Sequence, residues 1–552
     1  MKKIGEIILI VILPWIVILT LVFNYNSDYD SGYCPDSMIS IKKEKKPIDH
    51  SGFAELNKDF TSGTEVTAAC LSCHQSRGEE FMKTQHWLWH KPDTTAKEGV
   101  QDLGKINLLN NFCIGINSNE KMCSMCHAGY GYEDHNFDFS NPENIDCLVC
   151  HDATGSYRKS KPTKENGFRG AGWPDISVDL KHVATNVGLP KSNNCGNCHF
   201  TGGGGNNVKH GDLEKALLLE HAAMVGQMDV HMSSTTSDKN LQCVDCHQTD
   251  EHQISGQLYS VSSSNDNHVT CVQCHTDRPH QSQLLNNHYR RVACQTCHIS
   301  EYAKIQPTTL VWDWSTATRL DESGKPIGVT KLPDSTYFFD GKQYEQVRVQ
   351  YDSKHGTLVM KQGVIPEYRW FNGNADHHKL TDLIDDTLKA LVLNPLQGSY
   401  EDNIRPEDPD NPSKIIPVKV MRGRQPYDTK NRLLIQPKLF GEYKGSGALW
   451  TDLDWDASFT AGMEYTGLPY SGEYGFVKTE SYWPLNHEVS SADQALQCAD
   501  CHVKNTGRLQ QMAGFYLPGR DNNPWLDGVG LAFIILVLAG VSIHGLLRIF
   551  SK

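Results

Sequence analysis

The sequence has no surplus of positive charge. Its 552 residues carry 52 Lys and Arg against 65 Asp and Glu, a formal net charge of −13, which argues against a nucleic-acid partner. It lacks a phosphate loop. The run Gly202-Gly203-Gly204-Gly205 is not followed by Gly-Lys-Ser/Thr and reads as a tight loop. It also lacks a small-x-small cleavage site after its first apolar span. Ile4–Phe23 follows Lys2 and Lys3 and runs on into Asn24-Tyr25-Asn26-Ser27-Asp28. That layout predicts an uncleaved anchor, with a cleaved signal peptide as the other reading.

A second apolar span runs from about Val529 to Phe550, with Trp525 before it and Arg548 and Lys552 at its end. Cations at both chain ends then sit in the cytoplasm and residues 24–528 lie outside. Lys42, Lys43, Lys45 and Lys46 point the other way. The cysteine motifs described next decide the orientation, because the attachment they imply follows export.

Eighteen cysteines and twenty-five histidines are far above ordinary usage. Sixteen of the cysteines fall in eight copies of Cys-x-x-Cys-His. The first four copies are Cys70, Cys73 and His74; Cys123, Cys126 and His127; Cys147, Cys150 and His151; and Cys195, Cys198 and His199. The last four are Cys243, Cys246 and His247; Cys271, Cys274 and His275; Cys294, Cys297 and His298; and Cys498, Cys501 and His502. Two thiols about one helical turn apart can add to the two vinyl groups of one haem, and the next residue then offers its imidazole to the iron. Zinc sites and dithiol redox motifs share the Cys-x-x-Cys spacing, but neither requires His after every second cysteine. The motifs therefore predict eight covalently attached haem c groups.

Seven motifs lie between residues 70 and 298, and the eighth follows a long gap. So little protein per haem predicts a mainly α fold with extensive loops, organised round eight closely packed haems, with few short strands and a transmembrane helix at each end. Residues 1–28 read as the N-terminal anchor and 29–302 as a haem domain with seven motifs. Residues 303–490 read as a loop and short-strand elaboration, 491–520 as the region of the eighth motif, and 525–550 as the C-terminal transmembrane helix. Helical patterns precede several motifs, as at Gly211–Met224 and Ala492–Cys501. Alternating runs at Tyr337–Phe339 and Gln346–Tyr351 read as strands. The polar, Pro-rich stretch Glu401–Lys414 reads as an exposed loop.

Several stretches resemble the octahaem tetrathionate reductases, relatives of hydroxylamine oxidoreductases and cytochrome c nitrite reductases. They are Asn110-Asn111-Phe112-Cys113, His127-Ala128-Gly129-Tyr130-Gly131, Cys147-Leu148-Val149-Cys150-His151-Asp152, Thr154-Gly155-Ser156-Tyr157-Arg158-Lys159, Cys195-Gly196-Asn197-Cys198-His199-Phe200 and Val208-Lys209-His210-Gly211-Asp212-Leu213. The resemblance covers roughly residues 65–510 and leaves out both apolar spans. It implies seven bis-His haems, with distal ligands here at His86, His210, His231, His252, His280, His288 and His487. His182, His221, His268 and His355 are substitutes. It further implies a lysine ligand on the haem of the second motif, pointing to Lys159 as distal ligand opposite His127, with Lys161 next in line. Without the resemblance, Lys159 reads as a solvated lysine in a basic loop beside Arg158, Lys161 and Lys164. An amine is a weaker and more flexible haem ligand than imidazole, so substrate could displace it.

Two cysteines lie outside the motifs. Cys113 precedes the second motif by ten residues and is open to sulfur chemistry, to pairing with Cys34, or to inert burial. Tyr130, Tyr132, His135 and Asp152 are candidate proton donors. His544, alone in the second apolar span, reads as an interfacial histidine.

The expected activity is a reductase. Electrons pass along bis-His haems to the second-motif haem, which reduces a small anion: tetrathionate first, nitrite or hydroxylamine as alternatives. The competing reading is a non-catalytic electron conduit. Either is anchored in the cytoplasmic membrane, haem domain outside, and takes electrons from a quinol-oxidising or cytochrome partner.

Overall fold

The computed structural model describes residues 13, 16, 48–93, 101–109, 115–161, 171–200, 209–218, 228–232, 241–256, 268–276, 278–385, 387–403 and 412–551. Cys34, Cys113, His221, Gly202–Gly205 and, apart from Leu13 and Ile16, the N-terminal span lie outside them.

The chain forms two compact units. One comprises residues 41–270 and 295–495, the other 1–40, 271–294 and 496–552. In the first, the segment with few cysteines builds a nine-stranded mixed sheet. Its strands are β1 (Thr308–Asp313), β2 (Thr330–Phe339), β3 (Lys342–Asp352), β4 (Gly356–Lys361), β5 (Glu367–Phe371), β6 (Leu391–Val392), β7 (Lys414–Asp428), β8 (Leu433–Leu434) and β9 (Tyr474–Pro484). They run in the order β6-β9-β7-β1-β4-β3-β2, with β5 and β8 also paired to β7. The β6–β9 and β7–β1 pairings are parallel and the others antiparallel.

This corrects the expected mainly α fold with few short strands: the protein is mixed α/β. Strand β7 is 15 residues long and buried along most of its length. Its register against β9 is continuous from Val418↔Pro484 to Asp428↔Tyr474. Successive side chains of β1 face opposite ways, as strand geometry requires. Trp312 joins a core with Trp314, Met421, Phe459 and Trp483, while Val311 joins one with Ile299, Tyr302, Val347 and Leu485. The helix Trp455–Thr466 contributes Trp455, Phe459 and Met463 to the first core. Asp454 caps its start by accepting from the Ala457 amide, and Gly467 ends it at φ 68°.

The second core carries the sheet onto the haem motifs. Ile299 follows His298 directly, and Thr296 Oγ1 donates to Ile415 O at 2.6 Å. Around the motifs regular structure is short. Four have four-residue helices, at Glu120–Cys123, Leu148–His151, Cys243–Cys246 and Cys498–Cys501. The patterns at Gly211–Met224 and Ala492–Cys501 give only a 3-10 turn at Lys215–Leu218 and the helix Cys498–Cys501 among the described residues. Tyr337–Phe339 and Gln346–Tyr351 do lie in strands, β2 and β3.

In the second unit the helix Pro524–Phe550 contains an 18-residue stretch of mean hydropathy 2.4 and is long and apolar enough to cross a membrane. At 27 residues it spans about 40 Å. Of the two expected membrane helices it is the one among the described residues.

Candidate haem centres

A motif histidine serves iron through Nε2, which a hydrogen bond from Nδ1 to a carbonyl aims and fixes. Four motif histidines show that arrangement. His151 Nδ1 bonds Gly188 O at 2.9 Å, His247 Nδ1 bonds Ser255 O at 2.7 Å, His298 Nδ1 bonds Ser490 O at 3.4 Å and His502 Nδ1 bonds Pro518 O at 2.9 Å. Gly256 makes the second possible. Its φ is +103°, and a Cβ there would sit 2.5 Å from His247 Nδ1.

The sixth and seventh motifs differ in how they are built. In the sixth, Cys271–Gln273 is a 3-10 turn. The amides of Cys274 and His275 both donate to Cys271 O, at 3.2 and 2.8 Å, which folds the motif tightly on itself. Cys274 and His275 are exposed, and Cys271 is half-buried. In the seventh, the helix Cys294–His298 sets Cys294 and Cys297 three residues apart on one face, both half-buried.

Metal–imidazole bonds of about 2 Å on each side place two ligand rings roughly 6 Å apart, centre to centre. Several pairs among the described residues meet that spacing. His74 and His50 are 6.3 Å apart, His199 and His86 6.3 Å, His247 and His487 6.2 Å, and His502 and His288 6.0 Å. The non-motif member is itself held at Nδ1 in three of them: His50 by Ile48 O at 2.8 Å, His288 by Leu284 O at 2.8 Å and His487 by the Asp212 carboxylate at 3.3 Å. These pairs fit one iron each. Among the described residues no group of three or more His, Cys, Asp and Glu is arranged for a bare metal ion. His50 escapes a reading of the sequence. It sits twenty residues before the first motif, in a polar stretch without periodicity.

The remaining expected ligands are placed as follows. His252 Nδ1 bonds Glu80 Oε2 at 3.0 Å, and its charge falls on His151. His231 lies 3.4 Å from Asp229 Oδ1. His210 packs edge-on against Trp483 at 5.0 Å. The His280 amide donates to Asn286 Oδ1 at 3.0 Å. Of the substitutes, His268 is exposed, and so is His182, near Asn186. His355 sits among Trp312, Trp314 and Trp450 with Nδ1 on Asp352.

Neighbouring motifs touch through their thiols. Cys70 is hydrogen-bonded to Cys147, Cys126 to Cys198 and Cys195 to Cys243. The first motif therefore adjoins the third, the second adjoins the fourth, and the fourth adjoins the fifth.

The second motif departs from the pattern. His127 is 1% exposed, and it is Nε2, not Nδ1, that bonds a carbonyl, Trp87 O at 2.7 Å. Its ring stacks on Trp87 at 5.5 Å and meets Trp89, Tyr132 and Phe137 at 4.9, 4.8 and 5.3 Å. Burial, reinforced by the Lys159 charge, pushes the imidazole down to about 3, so it is neutral. Lys159 reaches the same motif from another side. Its Nζ donates to His127 O, to Gly129 O at 2.8 Å and to Ser124 O at 3.2 Å, and lies 3.5 Å from Asp146 Oδ2. Asp146 also accepts from the Tyr130 and Tyr157 hydroxyls at 2.9 and 2.8 Å. Gly172, at φ +76°, lets the chain pass here, because a Cβ would be 2.6 Å from Ser124 Cβ.

Asp152 holds a turn. It accepts from Thr154 N at 2.8 Å, Thr154 Oγ1 at 2.6 Å and Tyr157 N at 3.0 Å. Lys161 is exposed. Two further cations converge on the second motif. The charges of Lys105 and Lys209 both reach Cys123 and Cys126. Lys105 Nζ lies 4.8 Å over the Trp89 ring, and burial pushes Lys209 down to about 7.

Motif histidines fixed through Nδ1 and faced by partner imidazoles define a multihaem c-type cytochrome. Residues 69–152 match the family described as cytochrome c554 and c-prime, and residues 309–505 the family described as bacterial cytochrome c. The crystal structure of octahaem cytochrome c from Shewanella oneidensis is similar over 87% of this chain and 98% of that one, with 38% identity and a TM-score of 0.70. An uncharacterised protein from Archaeoglobus fulgidus is 24% identical over 257 residues, 82% of that protein. The chain belongs to the octahaem cytochromes c and carries multiple haem c groups.

Proposed function

We propose that this protein is an octahaem c-type reductase in which each of the eight motifs holds one haem c and the haem on Cys123 and Cys126 is the catalytic one. The observation that carries the reading is the turn of His127. Its Nε2 is taken up by Trp87 O at 2.7 Å, while the Lys159 amine lies among the carbonyls of the same motif. Lys159 would then hold this haem in place of His127, which the resemblance set as its partner ligand, and the haem would supply the electrons that reduce the substrate. The bis-His haems are closed to outside molecules and pass electrons only.

Haem c supplies electrons one at a time through its iron. The chain does the rest. The Ser124, His127 and Gly129 carbonyls and the Asp146 carboxylate hold the Lys159 Nζ beside the motif. Asp146, with Tyr130 and Tyr157, fixes the position of that amine. Lys105 and Lys209 draw a small anion toward the motif. Tetrathionate fits this best, with nitrite and hydroxylamine as further substrates. The thiol contacts between motifs support a short path for electrons into the second motif from the fourth and fifth. The helix Pro524–Phe550 supports a cytochrome tethered to the cytoplasmic membrane, its haem domain outside, fed by a quinol-oxidising or cytochrome partner.

Electron paramagnetic resonance of the oxidised, purified protein tests the reading. One haem with a non-imidazole signature, altered by Lys159→Ala, is expected. Eight bis-His signatures would leave an electron conduit instead.

A further inference from the structure

The helix that carries the second motif begins with an acid. Glu120 and Cys123 are three residues apart on Glu120–Cys123 and share a face. The Glu120 side chain therefore lies on the face of the turn from which Cys123 would hold its haem. It is 3% exposed, unusual for a glutamate with no cation on its carboxylate among the described residues. Its Oε1 accepts from Ser118 N at 3.2 Å and from the Tyr465 hydroxyl at 2.8 Å. Tyr465 comes from the distant helix Trp455–Thr466 and is half-buried. Its hydroxyl also accepts from the His135 amide at 3.0 Å, and its ring meets the His135 ring edge-on at 5.2 Å. His135 is exposed to solvent. Tyr465 and Glu120 thus link the surface at His135 to the helical turn that carries Cys123.

We infer that Tyr465 and Glu120 form a proton relay from the surface at His135 to the haem on Cys123, and that the reaction at this haem includes one that consumes protons. The inference rests on the reading of that haem as catalytic and says which of its reactions uses the relay: reduction of an N–O compound such as hydroxylamine. Two electrons from the haems break its N–O bond. The oxygen leaves as water and the nitrogen as ammonium, which takes up three protons in all. Glu120 gives a proton to the leaving oxygen, and Tyr465 restores it from the solvent side. Tetrathionate cleavage differs: two electrons break the central S–S bond, two thiosulfates leave, and no proton is needed.

The surroundings suit the role. Burial raises the Glu120 carboxyl above the ordinary range, and the Asp134 charge pushes the same way, so the acid holds its proton further toward neutral pH. The groups facing it are Tyr465, Asp134, Tyr132 and Cys123. The neighbouring cation, Lys121, is engaged by Glu133 at 3.5 Å and by Glu442.

The test uses full-length protein with complete haem content, driven by dithionite-reduced methyl viologen. The parameters kcat and KM are measured against pH for hydroxylamine and for tetrathionate. Tyr465→Phe and Glu120→Gln should each lower kcat for hydroxylamine about a hundredfold, with KM nearly constant. Both should enlarge the solvent-deuterium effect and lower the hydroxylamine-to-tetrathionate rate ratio by at least about tenfold. Glu120→Asp should recover part of the loss. Equal falls for both substrates would make the pair merely structural and overturn the relay alone. Wild-type protein inert toward both substrates would overturn the catalytic reading of the haem and the relay with it. Tyr465→Phe keeps the ring packing, so the test survives a poorly folding Glu120→Gln.

Discussion

His50 stands across from His74 with ring centres 6.3 Å apart and planes 37° to one another, its Nδ1 tied to Ile48 O at 2.8 Å. This pair makes the stretch before the helix Gly63–Phe81 part of the haem machinery. His50→Ala should leave the haem on Cys70 and Cys73 attached but five-coordinate. Oxidised-state electron paramagnetic resonance should show one low-spin signal replaced by a high-spin one, with the haem-to-protein ratio unchanged. An unaltered spectrum would mean that another residue faces His74.

At the second motif the expected roles of two residues differ sharply. Lys159→Ala should change the signal of one haem and cut turnover at least about tenfold, because it removes the proposed ligand. His127→Phe keeps an aromatic ring against Trp87 and Trp89. It forfeits the bond to Trp87 O, at a cost of about 1 kcal/mol, and should leave the haem signals in place. Loss of a haem signal in His127→Phe but not in Lys159→Ala would restore the imidazole as ligand.

Gly256→Ala should disturb the fifth motif alone. A methyl group there would lie 2.5 Å from His247 Nδ1, on a backbone at φ +103°. The strain costs about 1–3 kcal/mol and pushes His247 off Ser255 O. Potentiometric titration should show one haem shifted and the rest unmoved.

The sheet should be acid-sensitive through Glu367. Burial alone would raise its carboxyl, but Arg422, at 2.9 and 3.2 Å, and then Lys342 bring it down to about 2. A carboxylate whose folded value lies below the unfolded one adds stability above the unfolded value, and that stability disappears as pH falls. The window here is from about pH 4.5 down to about 2. Glu367→Gln should therefore cost roughly 2–3 kcal/mol at pH 7 and little at about pH 2. Thermal unfolding across that range checks the sign.

The sequence made the covalent chemistry plain and the scaffold obscure. Cys-x-x-Cys-His is local, so all eight copies of the motif could be read directly, down to the exposed Cys274 and His275 of the sixth. The sheet could not, and β7 shows why. It carries Pro417, Gly423 and Pro426 within fifteen residues, where a central strand ordinarily excludes proline. It also buries Lys419, whose Nζ donates to Thr308 Oγ1 at 2.6 Å. Buried on both faces, the strand shows no alternation. The same limit hid Glu120 and Tyr465, 345 positions apart in sequence and joined only by the fold. The turn of His127 was equally invisible, because the motif reads the same whichever nitrogen faces the iron.

The thiol contacts bear on how the protein is made. Cys70 with Cys147, Cys126 with Cys198 and Cys195 with Cys243 are partners from different motifs. Were the polypeptide to collapse before its vinyl adducts had formed, an oxidising compartment would staple these sulfurs across motif boundaries and bar the porphyrins for good. Biogenesis must therefore run in one order, with thioether synthesis on an open chain and compaction afterwards.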